Sequence, residues 1–334
     1  MQKTLALCVA LCLAALIAAS APPAHAQAAA CQATPAVKDQ TTLRELSSIW
    51  FGDPSFRFAI LLATNARAAD PRFGYLANPN QLVSYTPDGT RKGPRAVCIP
   101  ALDEALRLRN RFARYMEAVN DMALAEPSEI VSTLDPIPTG GPIRVVSWVR
   151  ADQAAALPAA GGTHTTGGAT WVTLDPHVRD FCTGYTAAHS DDPAAVTLRL
   201  EQRLGLPPAA SKTHFVTFEL ARVDQTTIFR PCADTETSDQ ACTLGPPKAC
   251  AEGDAICNAR RDFFFQQYYG SYGGQRPVEY PWTSLGYTFD WAPAAPGVGS
   301  GIGFVTVGES EYVIPGGVDL TVMAIEPTMA FCTR

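Results

Sequence analysis

Apolar and polar positions change period several times along the chain, and each change predicts a different element. Residues 5–19 are almost wholly apolar. Residues 43–65, LRELSSIWFGDPSFRFAILLATN, read as two short helices split by a turn at Gly52-Asp53-Pro54. Residues 101–126 hold the longest helical pattern. Leu102, Ala105, Leu106, Leu108, Phe112, Tyr115, Met116, Val119 and Met122 recur at three-and-four spacing and fall on one stripe, with Arg107, Arg109, Arg111, Arg114 and Glu117 mostly off it. Ala and Leu favour the helix, and Glu126-Pro127 stops it. Beyond Pro127, segments 143–149, 170–174, 195–200, 214–220, 303–307, 311–314 and 318–325 are strand-like and separated by Gly, Pro and Asp turns. One of them is ambiguous, because LRLEQRLGLPP also fits a short helix ended by Gly205.

The first apolar run changes the picture of the ends. Met1-Gln2-Lys3 supplies one positive charge, the run follows, and Pro22-Pro23 leads into Ala24-His25-Ala26, a small-x-small cleavage site. This is the three-part pattern of a secretory signal peptide over 1–26. The run is about 15 residues, short of the roughly 20 needed to cross a bilayer, and no later stretch is apolar enough, so no transmembrane segment is expected in the mature chain. Ala28-Ala29-Ala30 lacks the aliphatic residue usual before a lipidated Cys, which argues against a lipid anchor at Cys31. Losing 1–26 removes one Lys and no acid, so the formal charge of −6 becomes −7. A mildly acidic chain with scattered Lys and Arg argues against nucleic acid.

Eight cysteines remain after Cys8 and Cys12 leave with the signal. An even number in an exported chain reads as four disulfides, with 105 possible connectivities. The closest spacing, Cys250 to Cys257, is not a tight metal-binding pair. Cys332, near the end of the chain, is expected to fasten the last strand to one of Cys182, Cys232, Cys242, Cys250 or Cys257. Residues 230–257, rich in Cys, Pro turns and acids, read as a stapled loop.

Catalytic signatures are weak. Asp175, His177 and His189 lack the usual metal-ligand spacings, and no metal or cofactor is expected. Gly270-Ser271-Tyr272-Gly273 falls short of a nucleophile elbow, which leaves Ser271, Asp290 and His214 as a triad only if the fold gathers them. Glu309 and Glu311 fall on one face of an alternating strand, where a solvent-facing edge is the expectation. Two aromatic blocks follow the stapled loop, RDFFFQQYYGSYGG and YPWTSLGYTFDW. Trp282, Tyr287, Phe289 and Trp291 read first as core and second as sugar-stacking rings. No catalytic residue is assigned.

The run Val37-Lys38-Asp39-Gln40-Thr41-Thr42-Leu43, then Leu46-Ser47-Ser48-Ile49-Trp50-Phe51-Gly52-Asp53, resembles the LysM domain. So do Phe56, Ile60, Ala63-Thr64-Asn65, Asn78-Pro79-Asn80-Gln81-Leu82 and Val97-Cys98-Ile99-Pro100. That family pairs two strands with two helices between them and binds N-acetylglucosamine-containing glycans, chiefly peptidoglycan and chitin. By position, the resemblance implies a glycan groove at Asp39, Gln40, Thr41 and Thr42 on one side and Asn78, Pro79, Asn80, Gln81 and Leu82 on the other. Thr42 is also placed to cap the first helix. The sequence departs from the family in lacking Gly before the Asp-Thr turn and in carrying extra residues at 66–77 and 83–95. A Cys31–Cys98 disulfide would tie the module's first strand to its last.

The expectation is a multidomain α+β chain. A signal peptide (1–26) precedes a βααβ LysM-like module (27–100), a connecting amphipathic helix (101–126) and a mainly antiparallel β domain (127–334) with disulfide-stapled loops. The helix is expected to pack on that domain or to offer a self-association face. The implied role is anchoring to or sensing peptidoglycan in the periplasm or at the cell surface, with an envelope protein as a possible partner. The alternative is a cell-wall hydrolase targeted by the module.

Overall fold

Residues 30–38, 41–76, 84–85, 91–139, 141–189, 191–234, 241–274, 278–295 and 303–333 are described by a computed structural model. The expected signal peptide and the groove positions Asp39, Gln40 and 78–82 lie outside the described residues.

At the N-terminal end, β1 (Cys31–Ala33), α1 (Leu43–Phe51), α2 (Arg57–Asn65), a small ribbon of β2 (Ser84–Tyr85) and β3 (Arg91–Lys92), and β4 (Ile99–Pro100) follow in order. β1 and β4 pair antiparallel, and Cys31 is bonded to Cys98 beside that pair. Local chemistry sets the helix ends. Thr42 accepts a hydrogen bond from the Glu45 N–H at the start of α1, and Gly52 closes it at φ 69°, where a side chain would be strained. Leu43, Leu46, Ile60, Leu61, Val97 and Ile99 form a small core between these helices and strands.

The long stripe forms α3 (Leu102–Met122), ending earlier than the expected 126. It buries Ala105, Leu108, Phe112, Tyr115, Val119 and Met122. Phe112 stacks on Phe58 of α2 with centroids 4.1 Å apart, and Tyr115 meets the edge of Trp291 at 5.6 Å. Each large side chain buried in this way contributes about 1.5–3 kcal/mol. The stripe is therefore filled inside the molecule, joining the N-terminal unit to the larger region in one continuous core. Leu102 and Leu106 alone among its apolar residues stay exposed.

The larger region is built on a six-stranded antiparallel sheet of order β11-β7-β5-β8-β12-β6. Its strands are β5 (Ile143–Val149), β6 (Thr163–Thr165), β7 (Thr170–Leu174), β8 (His214–Leu220), β11 (Tyr312–Ile314) and β12 (Asp319–Pro327); a short α4 (Ala151–Ala155) follows β5. One sheet face carries Ile143, Val145, Val216, Phe218 and Val322. The other carries Val146, Trp148 and Phe215 against α5 (His177–Ala188), α6 (Pro193–Arg203) and α8 (Thr328–Cys332). The Cys182–Cys332 disulfide ties α5 to α8, so Cys332 fastens the chain end as expected; Cys232–Cys242 and Cys250–Cys257 staple the loop region.

Two segments correct the sequence reading. Residues 195–200 lie in helix α6, because Asp192 caps the N–H groups of Ala194 and Ala195, Pro193 starts the helix, and Gly205 follows at φ 63°. The first aromatic block is α7 (Ala255–Tyr272), so the region after Pro127 carries more helix than expected. The second block enters β9 (Tyr287–Pro293), which pairs with β10 (Phe304–Ser310) in a ribbon against α6 and α3. Trp282, Tyr287, Phe289 and Trp291 are all buried.

Candidate functional site

Of the residues in or next to the expected glycan groove, Thr41, Thr42 and Leu76 are held by hydrogen bonds. Thr41 donates its N–H to the Lys38 carbonyl, and Thr42 is spent as the α1 cap. On the other side, the buried Asn65 side chain donates to the Leu76 carbonyl at 3.0 Å and accepts the Leu76 N–H at 2.7 Å. This reciprocal pair of hydrogen bonds fixes the backbone at Leu76.

A second place is more enclosed. β5 and β7 are in register only at Val145↔Leu174 and Val146↔Thr173. Beyond that point β5 continues to Val149 against β8, while β7 turns to pair with β11. The sheet opens as a wedge between 147–150 and 169–171, and a cavity of about 680 Å³ fills the opening. This volume lies within the range of small-molecule sites. The exposed Gln153, Ala156 and Ala169 mark its mouth; the buried Trp282 and Glu311 lie deep in it. Trp148, Trp171, Tyr75 and Tyr280 supply further aromatic wall.

Glu311 is 6% exposed and is the one carboxyl group on the cavity wall among the described residues. Burial pushes its carboxyl up to about 8, partly offset by Arg230 and by the neighbouring Trp282 indole. Even so, neither Glu311 Oε1 nor Trp282 Nε1 completes a hydrogen bond of full geometry within the described protein. Arg230 is turned elsewhere, donating to the carbonyls of Gly286 and Asp135.

Opposite charge lines the same space. Lys212 is held down to about 8 by burial, reinforced by Arg150 and partly offset by Asp152. Arg150 already holds Asp152 through two hydrogen bonds at 3.1 and 3.2 Å and lies over the Tyr75 ring. Lys212 makes no ion pair among the described residues. It stands at the end of a strained strap. Ala209 and Ser211 both have φ of 58°, a conformation costing non-glycine residues about 1–3 kcal/mol each. Two elements hold the strap: the Ala210 N–H donates to Glu201 of α6 at 2.8 Å, and the Ser211 hydroxyl donates to the Asn65 carbonyl of α2 at 2.9 Å. Burial pushes the Glu201 carboxyl up to about 7 against the pull of the Ala210 and Ala209 N–H groups.

The remaining candidates do not assemble. Glu309 is buried, not on a solvent-facing edge, and accepts from Arg203 Nε at 2.7 Å. Glu311 likewise leaves the surface, because the strand breaks between β10 and β11 and sends the two acids to different partners. Asp290 is gripped by both terminal nitrogens of Arg199, Ser271 accepts from Gln267, and His214 pairs with Thr213; no hydrogen bond joins any two of that trio. Asp175 faces Arg179, His177 faces Asp135, and His189 stacks on Tyr185. Among the described residues no cluster of three or more His, Cys, Asp or Glu could hold a metal, and no helix is long and apolar enough to cross a membrane.

The sequence reading singled out Glu311 and Trp282 but missed Tyr75, Lys212, Trp148 and Trp171. These come from four separate parts of the chain with no shared spacing. The one local signal was Lys212 in LPPAASKTHF, a cation placed between a helix and a buried strand. No family model matches this chain, and no curated protein or solved structure matches it either.

Proposed function

We propose that the protein is an exported cell-envelope protein that attaches to N-acetylglucosamine-containing glycan, chiefly peptidoglycan, through a LysM-like N-terminal module. The observation carrying this reading is the order β1, α1, α2 and, after the inserted β2–β3 ribbon, β4, with β1 and β4 antiparallel and their ends joined by Cys31–Cys98. This is the arrangement that the resemblance implies. Four disulfides fit a secreted or extracytoplasmic setting. Asp39, Gln40, Thr41, Thr42 and 78–82 are the glycan-contacting positions in this reading, and Asn65 fixes Leu76 next to them in the chain.

Co-sedimentation of the mature protein with insoluble peptidoglycan, with chitin alongside, tests it. Binding is expected to fall about tenfold in a Gln40→Ala, Asn80→Ala double variant, the scale of one or two lost polar contacts. Wild-type protein left wholly in the supernatant at micromolar concentration would remove the glycan role.

A wall hydrolase is the second reading, and Glu311 is the observation that favours it. A carboxyl held protonated near neutral pH is in the state that a general acid needs. The pair of carboxyl groups used by most glycosidases is not on this cavity wall among the described residues, which ranks binding ahead. Clearing of a peptidoglycan suspension by wild type but not by Glu311→Gln would reverse that ranking.

A further inference from the structure

We infer that the cavity in the split sheet is a second ligand site, separate from the N-terminal groove, and that it takes a small saccharide bearing a carboxylate. Three independent features of the wall lead there.

The first is the deep polar pair. Native proteins pair about nine in ten of their buried polar groups, yet Glu311 Oε1 and Trp282 Nε1, on residues 6% and 4% exposed that neighbour each other on one cavity wall, complete no hydrogen bond of full geometry with each other or with the rest of the described protein. A purely apolar ligand would leave that cost in place. A hydroxyl group removes it, accepting from the indole and exchanging a hydrogen bond with the carboxyl group.

The second is the aromatic wall. Trp148, Trp171, Trp282, Tyr75 and Tyr280 surround the space. Flat rings pack against the C–H faces of a pyranose while its hydroxyls point to the polar atoms between them. Gln153 and Thr170 supply such atoms around the same wall.

The third is the sign of the charge. Lys212 has no ion pair among the described residues, Arg150 is beside it, and Asp152 is already held by Arg150. A cationic ligand would meet two like charges. A carboxylate on the sugar gains a charge-assisted bond to Lys212, roughly twice the strength of a neutral one. The strained strap at 209–211, fixed from both α6 and α2, places that lysine at the wall.

Calorimetry and tryptophan fluorescence on the mature protein test the assignment. The probes are N-acetylmuramic acid and glucuronic acid as acidic sugars, N-acetylglucosamine as a neutral one, and choline as a cation. Saturable binding of an acidic sugar with a change in tryptophan emission is expected, and the two acidic probes distinguish a wall fragment from an unrelated sugar acid. Lys212→Met should weaken the acidic sugar about tenfold, the scale of one bond to a charged group, while leaving the neutral sugar unchanged. Trp282→Phe, which keeps a ring but deletes the N–H, should weaken both sugars. An unchanged melting temperature shows that each variant still folds. The assignment is overturned if no sugar saturates, if choline binds instead, or if Lys212→Met weakens neutral and acidic sugars alike. Peptidoglycan co-sedimentation of the Gln40→Ala, Asn80→Ala variant reads the N-terminal groove and calorimetry on Lys212→Met reads the cavity, so either site can fail without the other.

Discussion

Asp290 and Glu309 on the β9–β10 ribbon are as deeply buried as Glu311, yet the two regions treat their acids in opposite ways. On the ribbon, Arg199 grips both oxygens of Asp290 at 3.0 and 2.7 Å, Arg203 takes Glu309 at 2.7 Å, and Phe181 lies against both guanidinium groups. At the cavity, Arg230 sits near enough to favour the Glu311 anion but spends its N–H groups on backbone carbonyls. Burial of an acid therefore does not by itself mark a site. What separates the two regions is whether the hydrogen bonding is complete: the ribbon is finished as structure, and the cavity is left with capacity for a ligand.

The largest effect should come from breaking the finished side. Arg199→Ala removes both side-chain hydrogen bonds of Asp290, which is 0% exposed, and leaves it the Ala292 N–H at 3.1 Å and Arg203 at 3.8 Å; removing one partner of a buried pair costs about 3–5 kcal/mol, and these remaining contacts place the loss toward the lower end. At roughly 2–4 °C per kcal/mol, the melting temperature should fall by about 10 °C. Adding Asp290→Asn should recover part of that loss. A fall of only a degree or two in thermal melts would mean that the ribbon is not held as argued.

The same treatment of the cavity should have the opposite sign at high pH. The folded state holds a proton on Glu311 up to about 8, whereas the unfolded chain releases it near the ordinary glutamate value. Folding is therefore favoured below the unfolded value, and this contribution is lost as pH rises through about 8. Glu201 acts in the same direction but is exhausted near 7, while Lys212 acts oppositely above about 8. The window from 7 to 8 isolates Glu311. Glu311→Gln should flatten the decline of stability with pH there and leave the protein more stable than wild type at pH 8, by about 1–2 kcal/mol. Denaturant titrations at pH 6, 7 and 8 check this; parallel curves for the two proteins would contradict it.

Asn65 connects the groove to the cavity wall. Its side chain holds Leu76, and its carbonyl accepts from Ser211 in the strap carrying Lys212. Asn65→Ala removes the two side-chain bonds but keeps the carbonyl. It should cost about 1–3 kcal/mol for the unpaired buried backbone groups and reduce retention on peptidoglycan. Sugar binding in the cavity should survive. Loss of both activities in a folded variant would show that the two places are not independent.

How much of this the sequence reveals follows from how local each feature is. The α3 stripe, the turn at Gly52, the Thr42 cap and the even cysteine count depend on neighbours within a few residues, and they can be read directly. The α6 segment was ambiguous because its alternating Leu and Arg suit either period; the Asp192-Pro193 start decides for helix. Glu309 and Glu311 show the limit. Their spacing predicts a shared face on a continuous strand, but the strand breaks at Glu311, and Arg203 and Arg230 arrive from elsewhere in the chain. The wedge between β5 and β7 is less legible still, since it depends on where two strands cease to pair rather than on which residues they contain.

Thr42 gives the smallest effect and the finest test of the comparison, because its hydroxyl belongs to a finished bond while lying in the expected groove. Its Oγ1 accepts from the Glu45 N–H at 3.1 Å. Thr42→Ala should cost about 1 kcal/mol, the usual value of a lost cap, and Thr42→Ser should restore it. Peptidoglycan co-sedimentation then separates helix from ligand. If the Ala variant melts earlier but is retained as well as wild type, Thr42 serves α1 alone and the groove must depend on its neighbours. If the Ser variant regains full stability but is retained less well, the threonine methyl group itself contacts the sugar, and one atom group distinguishes the finished structural bond from the ligand surface beside it.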